Sequence, residues 1–160
     1  MEQLESILKE LGFIKSPFWR KKLQEVERSQ ISVHLAIFIE PFLEWVLNGK
    51  KTIESRFSIN KCAPYLKVKE GDLILIKRTG GPIVAVASAG IVWSYNIQPE
   101  SWDEIKGFSK LLCAHDPSFW ETRKNASYAT LIKLDNVSKI NPVPFVKRDR
   151  RGWVVLKQAL

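Results

Sequence analysis

The sequence predicts an α+β fold: a small mixed or antiparallel β-barrel with helices at its flank and a helical hairpin before it. The order of elements is the first observation, because a strand, a helix, a run of strands, two helices and further strands do not fit parallel β-α-β winding. The second is composition, since 160 residues with 45% hydrophobic content suit one domain with a sizeable core. The third is the long segment GPIVAVASAGIVWSY, whose small residues favour the curvature or bulges of barrel strands.

The first 29 residues predict a helical hairpin. Apolar residues recur at helical spacing up to Gly12, and Ser16-Pro17 has the pattern of an N-cap followed by a first-turn proline. The second helix is expected to run to about Arg28. Its apolar stripe must cover either the main domain or a partner, and we expect it to pack on the main domain. The predicted division is therefore an extension over residues 1–29 and a main domain over residues 31–157.

The main domain begins with ISVHLAIFI, a nearly continuous apolar run typical of a buried strand. A helix should follow, with Pro41 in its first turn and Asn48-Gly49 at its end. The segments TIESRF and DLILIKR predict the next strands, and they lead into the long curved segment.

The second half predicts two helices and two strands. PESWDEIKGFSKLLCA indicates one helix capped near Ser101, and a short second helix should have Asp116 as N-cap and Pro117 in its first turn. YATLIKLDNVSKI and GWVVL indicate strands, with NPVPF as an extended linker between them.

The charge and cysteine content narrow the classes of partner. The net charge of +8 favours a polyanionic partner, nucleic acid first, although it is also compatible with solubility alone. Cys62 and Cys113 do not form a CxxC pair and the two histidines stand apart, so we expect neither a metal site nor a cofactor. The N-terminus lacks the pattern of a signal peptide and no stretch suits a membrane span, which predicts a cytoplasmic protein without a membrane partner.

Residues 48–57, NGKKTIESRF, concentrate charge where a helix leads into a strand. Side chains of a strand alternate between its faces, so Ile53 and Phe57 are expected to enter the core. Glu54 and Arg56 then share the opposite face with Thr52.

Lys51, just before this strand, is expected to lean towards Glu54. A carboxylate between two cations should stay ionised and hold both side chains in place. Such a cluster would present the planar fork of Arg56 to a phosphate or a base edge. The alternative is an ordinary surface ion-pair cluster, with each pair worth about 0–1 kcal/mol.

The segment GKKTIESR resembles the signature G-x-K-x-x-E-x-R of the ASCH domain (activating signal cointegrator homology), a branch of the PUA-like superfamily. Gly49, Lys51, Glu54 and Arg56 occupy its four specified positions. The flanking segments VHLAIFIEPFLEWVLN, KEGDLILIKRTGGPIVAVA and KRDRRGWVVL are also similar to ASCH proteins. The resemblance covers about residues 31–157.

This resemblance implies a five- or six-stranded PUA-like barrel with a cleft for RNA, another single-stranded nucleic acid, or a nucleotide or modified nucleoside. It places Lys51, Glu54 and Arg56 in that cleft. Further candidate contacts are the signature neighbours, two basic rims and two aromatic residues for base stacking, for which core packing is the alternative role. These candidates are Lys50, Thr52, Lys77, Arg78, Arg148, Arg150, Arg151, Trp93 and Trp120.

A binding module is the favoured function, and two alternatives stay open. The first is a hydrolase, which acts either on a modified nucleoside or on RNA. Some small ASCH proteins are amidohydrolases that deacylate acetylated cytidine with a lysine, a threonine and a glutamate; Lys51 matches the lysine, but Glu54 stands at the threonine position. In a nuclease, which has also been linked to ASCH relatives, Lys51 and Arg56 would stabilise the phosphate and Glu54 would act as base. The second alternative is a protein-interaction module that uses the N-terminal helices.

Overall fold

The computed structural model describes residues 2–12, 14–147 and 149–160. Within these ranges the chain forms six helices and six strands. The helices are α1 (Glu2–Gly12), α2 (Pro17–Glu27), α3 (Phe42–Leu47), α4 (Ser101–Lys106), α5 (Ser109–Leu112) and α6 (Pro117–Glu121). The strands are β1 (Val33–Phe38), β2 (Ile53–Ser58), β3 (Leu73–Arg78), β4 (Ile83–Asn96), β5 (Tyr128–Val143) and β6 (Trp153–Lys157).

The six strands form one curled, half-barrel sheet in the order β2-β5-β4-β3-β1-β6. The pair β1–β3 is parallel and the other four pairs are antiparallel. The mixed α+β architecture predicted from the sequence is thereby confirmed, as a sheet whose outer strands are β2 and β6.

The curvature of the sheet comes from its two long strands. The pairing of β4 with β5 shifts register at three places along the small-residue segment, as the sequence predicts. Gly90 lies at one of them, where a Cβ atom would stand 2.5 Å from a carboxylate oxygen of Asp135. The strands can therefore approach closely only because this position lacks a side chain.

Strands β1 and β3 are mostly apolar, apart from His34 and the end of β3 at Lys77 and Arg78, because both of their faces are buried. On one face, Val33 and Leu35 belong to a cluster with the buried side chains of α1 and α2, namely Ile7, Leu11, Trp19 and Val26. On the other face, Ala36 and Phe38 pack with α3 inside the curl of the sheet. The apolar side chains of the N-terminal helical hairpin thus cover one face of the main sheet. The division into residues 1–29 and 31–157 stays a prediction.

A third cluster joins α4, α5 and α6 to strand β2. Its buried members include Ile53, Ile105, Leu112 and Phe119, surrounded by half-buried aromatic rings. This layer of short helices forms one side of the site described below.

The structure differs from the predicted elements at three points. The single helix expected over residues 99–114 is two short helices, because α4 ends before Gly107 and the Ser109 hydroxyl bonds the carbonyl of Lys106 at the break. Pro41 precedes α3 as its cap, and residues 141–143 of the expected linker belong to β5. The end of α3 at Asn48 and the Asp116 cap of α6 agree with the prediction.

In the described part of the chain, every helix is too short or too polar to cross a membrane.

Deleting residues 1–29 should strongly reduce the free energy of unfolding. Ile7, Leu11, Trp19 and Val26 are at most 2% exposed, so their loss opens an apolar sheet face to water. Urea unfolding of the truncated and full chains measures the effect. A truncated chain of unchanged stability would contradict the expectation, and would favour the interaction role for the hairpin.

Candidate functional site

The end of α3 sets the direction in which the signature residues enter the protein. Asn48 caps the helix, and Gly49 reverses the chain with φ +83°, a conformation that favours glycine. The backbone N–H of Lys51 then donates to the carbonyl of Trp45 at 2.9 Å. This turn directs the Lys51 side chain inward at the start of β2.

Lys51 is buried, with 2% of its surface exposed. Its Nζ donates to the carbonyls of Ile53 and Leu112, both at 2.8 Å, and lies 3.3 Å from Oε1 of Glu54. Burial lowers the pKa of Lys51, and the charge of Glu54 opposes that shift only in part. The three acceptors match the three hydrogens of the ammonium group, so Lys51 fastens β2 to the end of α5.

The carboxylate of Glu54 lies between the two cations, as the alternation of β2 predicts. Oε1 accepts from the backbone N–H of Ser55 at 2.9 Å, and Oε2 accepts from Nε and Nη2 of Arg56 at 3.2 and 3.0 Å. Burial by itself would raise the pKa of Glu54, but the charges of Lys51 and Arg56 and the Ser55 N–H outweigh it, so the pKa lies below the ordinary value of 4.5. Glu54 is therefore ionised and saturated with donors.

Arg56 connects the outer strand β2 to the opposite side of the curled sheet. Its Nη2 also donates to the carbonyl of Ile37 on β1, and Nη1 donates to the carbonyl of Gly152 just before β6, both at 2.8 Å. The guanidinium lies 5.2 and 5.3 Å from the ring centroids of Phe38 and Trp153. One side chain thus bridges two edges that no strand pairing joins.

The indole of Trp153 is held in place by a buried chain of hydrogen bonds. Its Nε1 donates to Nδ1 of His34 at 3.0 Å, and Nε2 of His34 lies 2.8 Å from Oδ2 of Asp72. Because the indole is only a donor, Nδ1 must accept and Nε2 carries the imidazole hydrogen towards Asp72. The ring beneath Arg56 is therefore fixed from the core.

Lys51, Glu54 and Arg56 line a cleft of about 470 Å³. The structure brings Lys51, Glu54 and Arg56 together there, as the sequence predicts. The lining also includes Phe57 of β2 and residues of α3 and of the α6 region, among them Phe42, Phe119, Thr122 and Arg123. The cleft thus combines charged side chains with aromatic rings.

Arg123 is a cleft residue that the sequence reasoning missed. Its guanidinium lies 3.6 Å from the ring centroid of Phe119, and its Nη1 donates to the Phe119 carbonyl at 2.9 Å and to Oγ1 of Thr122 at 3.2 Å. Nε and Nη2 make no hydrogen bond with any residue that the structure describes. The i, i+4 spacing from Phe119 was the available signal, because it places the two side chains on one face of a helical turn.

The predicted aromatic contacts lie outside the lining of the cleft. Trp93 packs on Phe108 with ring centroids 4.8 Å apart. Trp120 packs edge-on against Phe119, and its Nε1 donates to the carbonyl of Ala114. Both belong to the aromatic cluster around β2, where large apolar rings gain most from burial.

The two signature neighbours also lie outside the lining. Lys50 is exposed and its Nζ lies 4.5 Å from the ring centroid of Trp45. The backbone N–H of Thr52 donates to the carbonyl of Leu111, and its carbonyl accepts from Leu134. These contacts support the start of β2.

The predicted basic rims separate into two groups. Arg78 pairs with Glu40, with 3.0 Å between Nη1 and Oε2. Lys77, Arg150 and Arg151 line a second cavity of about 640 Å³, and Arg148 lies outside the described residues. In the described ranges, no three His, Cys, Asp or Glu side chains come together as metal ligands.

The backbone resembles solved structures of one domain family. The crystal structure of ASCH from Zymomonas mobilis matches with a TM-score of 0.62 over 78% of this chain and 87% of that one, at 13% sequence identity. Two mutant forms of the same protein match with TM-scores of 0.56 and 0.58, also at 13% identity, over 79% of this chain and 91% and 89% of theirs. The fold is that of an ASCH domain.

No protein-family model and no curated protein matches the sequence. At 13% identity the structural likeness concerns the fold alone. In this ASCH fold, the segment GKKTIESR forms the turn after α3 and the first part of β2, beside the cleft.

Replacing Glu54 by glutamine should lower the free energy of unfolding near neutral pH by about 3–5 kcal/mol, because it leaves the buried Lys51 and the half-buried Arg56 without their carboxylate. The pKa of Glu54 is depressed in the folded chain. Its stabilisation is therefore present above about 4.5, the unfolded value, and disappears as the pH falls through the lower folded value. The difference between wild type and Glu54→Gln should shrink over that acidic range.

Urea unfolding at a series of pH values measures this difference. Glu70→Gln, at an exposed turn position, is the matched control and should change stability little at any pH. A difference for Glu54→Gln that stays constant on acidification would contradict the ion-pair account.

Proposed function

We propose that the cleft binds a single nucleotide or modified nucleoside, presented free or by a single-stranded RNA. Three features support this function: the ASCH fold, a cleft lined by both charged and aromatic side chains, and the free donors of Arg123. The free donors of Arg123 are the strongest of these three features.

The dimensions and lining of the cleft suit a nucleotide. A volume of about 470 Å³ lies within the range of about 300–1,000 Å³ that is usual for small-molecule sites. Proteins recognise unpaired bases by stacking on aromatic or guanidinium planes and by hydrogen bonds to the base edge. Phe57 and the stacked pair of Arg123 and Phe119 offer such planes.

Arg123 is the cleft cation with most donor capacity left. Packing on Phe119 and two hydrogen bonds through Nη1 orient its guanidinium, so Nε and Nη2 remain for a ligand. A guanidinium held in this way matches two oxygens of a phosphate. Burial lowers the pKa of Arg123, which the charge of Glu54 partly opposes, and a bound anion would compensate the burial.

The signature residues shape the cleft in this proposal. All three Lys51 hydrogens have acceptors, while Arg56 keeps one Nη1 hydrogen beyond those bonded to Glu54, Ile37 and Gly152. Lys51, Glu54 and Arg56 together carry one net positive charge, and Arg123 adds a second. The cleft therefore attracts an anion.

The same contacts favour binding without turnover. A general base works best with a pKa near the operating pH, whereas the pKa of Glu54 is held below its ordinary value and both oxygens accept hydrogen bonds. An amine nucleophile needs a free lone pair, whereas Lys51 donates to three acceptors.

Replacing Arg123 by glutamine should weaken binding of nucleoside monophosphates and of a short single-stranded RNA about tenfold or more, since a charge-assisted hydrogen bond is lost. Calorimetry with the monophosphates and fluorescence anisotropy with the RNA, both at low salt, measure the affinities. The matched control is Arg20→Gln on α2, an exposed arginine that lines neither cavity.

An equal loss in the control, unchanged affinity in Arg123→Gln, or no binding by wild type would overturn the proposal. Mixtures of the wild-type protein with these ligands, and with acetylated cytidine, are also assayed for reaction products. Turnover by wild type that disappears in folded Lys51→Ala would replace the binding function with the hydrolase.

A further inference from the structure

The second cavity lies where the ends of β1 and β3 meet the segment before β6. We call it the basic cavity: its lining includes the four cations Lys77, Lys147, Arg150 and Arg151 and one carboxylate, Asp149. Its volume of about 640 Å³ exceeds that of the cleft. A concave surface with such an excess of positive charge attracts anions.

Lys77 is a buried cation without a counter-ion. It is 6% exposed, and within the described residues its side chain makes one hydrogen bond, from Nζ to the carbonyl of Arg78 at 3.1 Å. It forms no ion pair with any residue that the structure describes. Burial, and then the charge of Lys147, lower the pKa of Lys77. Two of its ammonium hydrogens are therefore available to a ligand.

Asp149 does not compensate Lys77, because two other cations already engage it. Lys147 Nζ lies 3.0 Å from Oδ1, and Nε and Nη2 of Arg151 donate to Oδ2 at 3.0 and 2.7 Å. The hydrogen bonds from Arg151 are the main reason that the pKa of Asp149 is strongly lowered. Arg150 is exposed and, among the described residues, its side chain has no hydrogen-bond or ion-pair partner. Lys77 and Arg150 thus remain uncompensated in one cavity.

We propose that the basic cavity binds a phosphate group through Lys77 and Arg150, and that this phosphate belongs to an RNA strand whose nucleotide occupies the cleft. The second half of this proposal rests on the proposed function of the cleft. It identifies the substrate as a single-stranded polymer rather than a lone nucleoside.

The position of the two cavities supports a shared strand. Ile37 and Ile39 line both, so the end of β1 is the wall between them. Ile39 is 57% exposed and leaves a low apolar rim over which a flexible backbone can pass. Gly152, which lines the basic cavity, accepts the hydrogen bond from Arg56 of the cleft. A strand that crosses Ile39 therefore places a base on one side and a phosphate on the other.

The test compares Lys77→Met and Arg150→Gln with the control Lys21→Met, an exposed lysine on α2 that lines neither cavity. Affinities for a short single-stranded RNA and for a nucleoside monophosphate are measured over a range of salt concentrations. Each cavity variant should weaken RNA binding and make the slope of log K against log salt shallower by about 0.7. Both cavity variants should reduce the affinity for the monophosphate less than the affinity for the RNA, whereas Arg123→Gln should weaken the binding of both ligands.

Thermal unfolding gives a second readout that does not depend on RNA. Lys77→Met should be at least as stable as wild type, because it removes an unpaired buried charge and keeps the apolar stem. Inorganic phosphate should raise the melting temperature of wild type more than that of Lys77→Met. Arg150→Gln changes an exposed side chain, so it carries the RNA test even if Lys77→Met unfolds.

The outcomes separate the two proposals. Unchanged RNA affinity and salt slope in both cavity variants would overturn the proposed phosphate site in the basic cavity. A loss of affinity in Arg123→Gln would in that case still support nucleotide binding in the cleft. Weaker RNA binding in the cavity variants, without weaker binding in Arg123→Gln, would support the phosphate site and overturn the proposed function of the cleft. An equal phosphate effect on wild type and Lys77→Met would also count against the cavity.

Discussion

The carboxylate of Glu54, held between Lys51 and Arg56, is the contact on which both the sheet and the cleft depend. Without it, the buried Lys51 and the half-buried Arg56 would repel each other beside the same strand, and each would keep its desolvation cost. Apolar residues of similar size could fill such a space at equal or better stability. What the ion triad adds is direction, because its hydrogen bonds fix where Lys51 and Arg56 point.

That direction matters most for Arg56, which spans the open side of the sheet. Strand pairing leaves β2 and β6 as edges, and exposed edges invite pairing with other chains. The guanidinium provides separate donors for Glu54, Ile37 and Gly152, and it lies against the ring of Trp153. A lysine would offer one point charge instead of a planar fork, so this position requires arginine.

The sequence predicted the parts of the site that depend on local periodicity. The two-residue period of β2 put Glu54 and Arg56 on one face, and Asn48-Gly49 marked the turn that brings Lys51 beside them. The i, i+4 spacing indicates only that Arg123 lies beside Phe119; its place in the cleft depends on how α6 packs over β2. The same tertiary packing places Trp93 and Trp120 in the aromatic cluster. The division into α4 and α5 at Gly107 was also missed, because the apolar pattern of the segment continues across the break.

The hydrogen-bond capacity of each side chain separates the groups that build the site from those that remain for a ligand. The donors of Lys51 and the carboxylate oxygens of Glu54 are all engaged by other groups of the protein, so these signature residues fix the shape of the cleft. Arg123 in the cleft and Lys77 in the basic cavity retain donors that no described residue satisfies. An anion is the partner that satisfies both the remaining hydrogen-bonding capacity and the charge of these two side chains. Affinity is therefore expected to depend on residues outside the signature, which only the fold brings beside it.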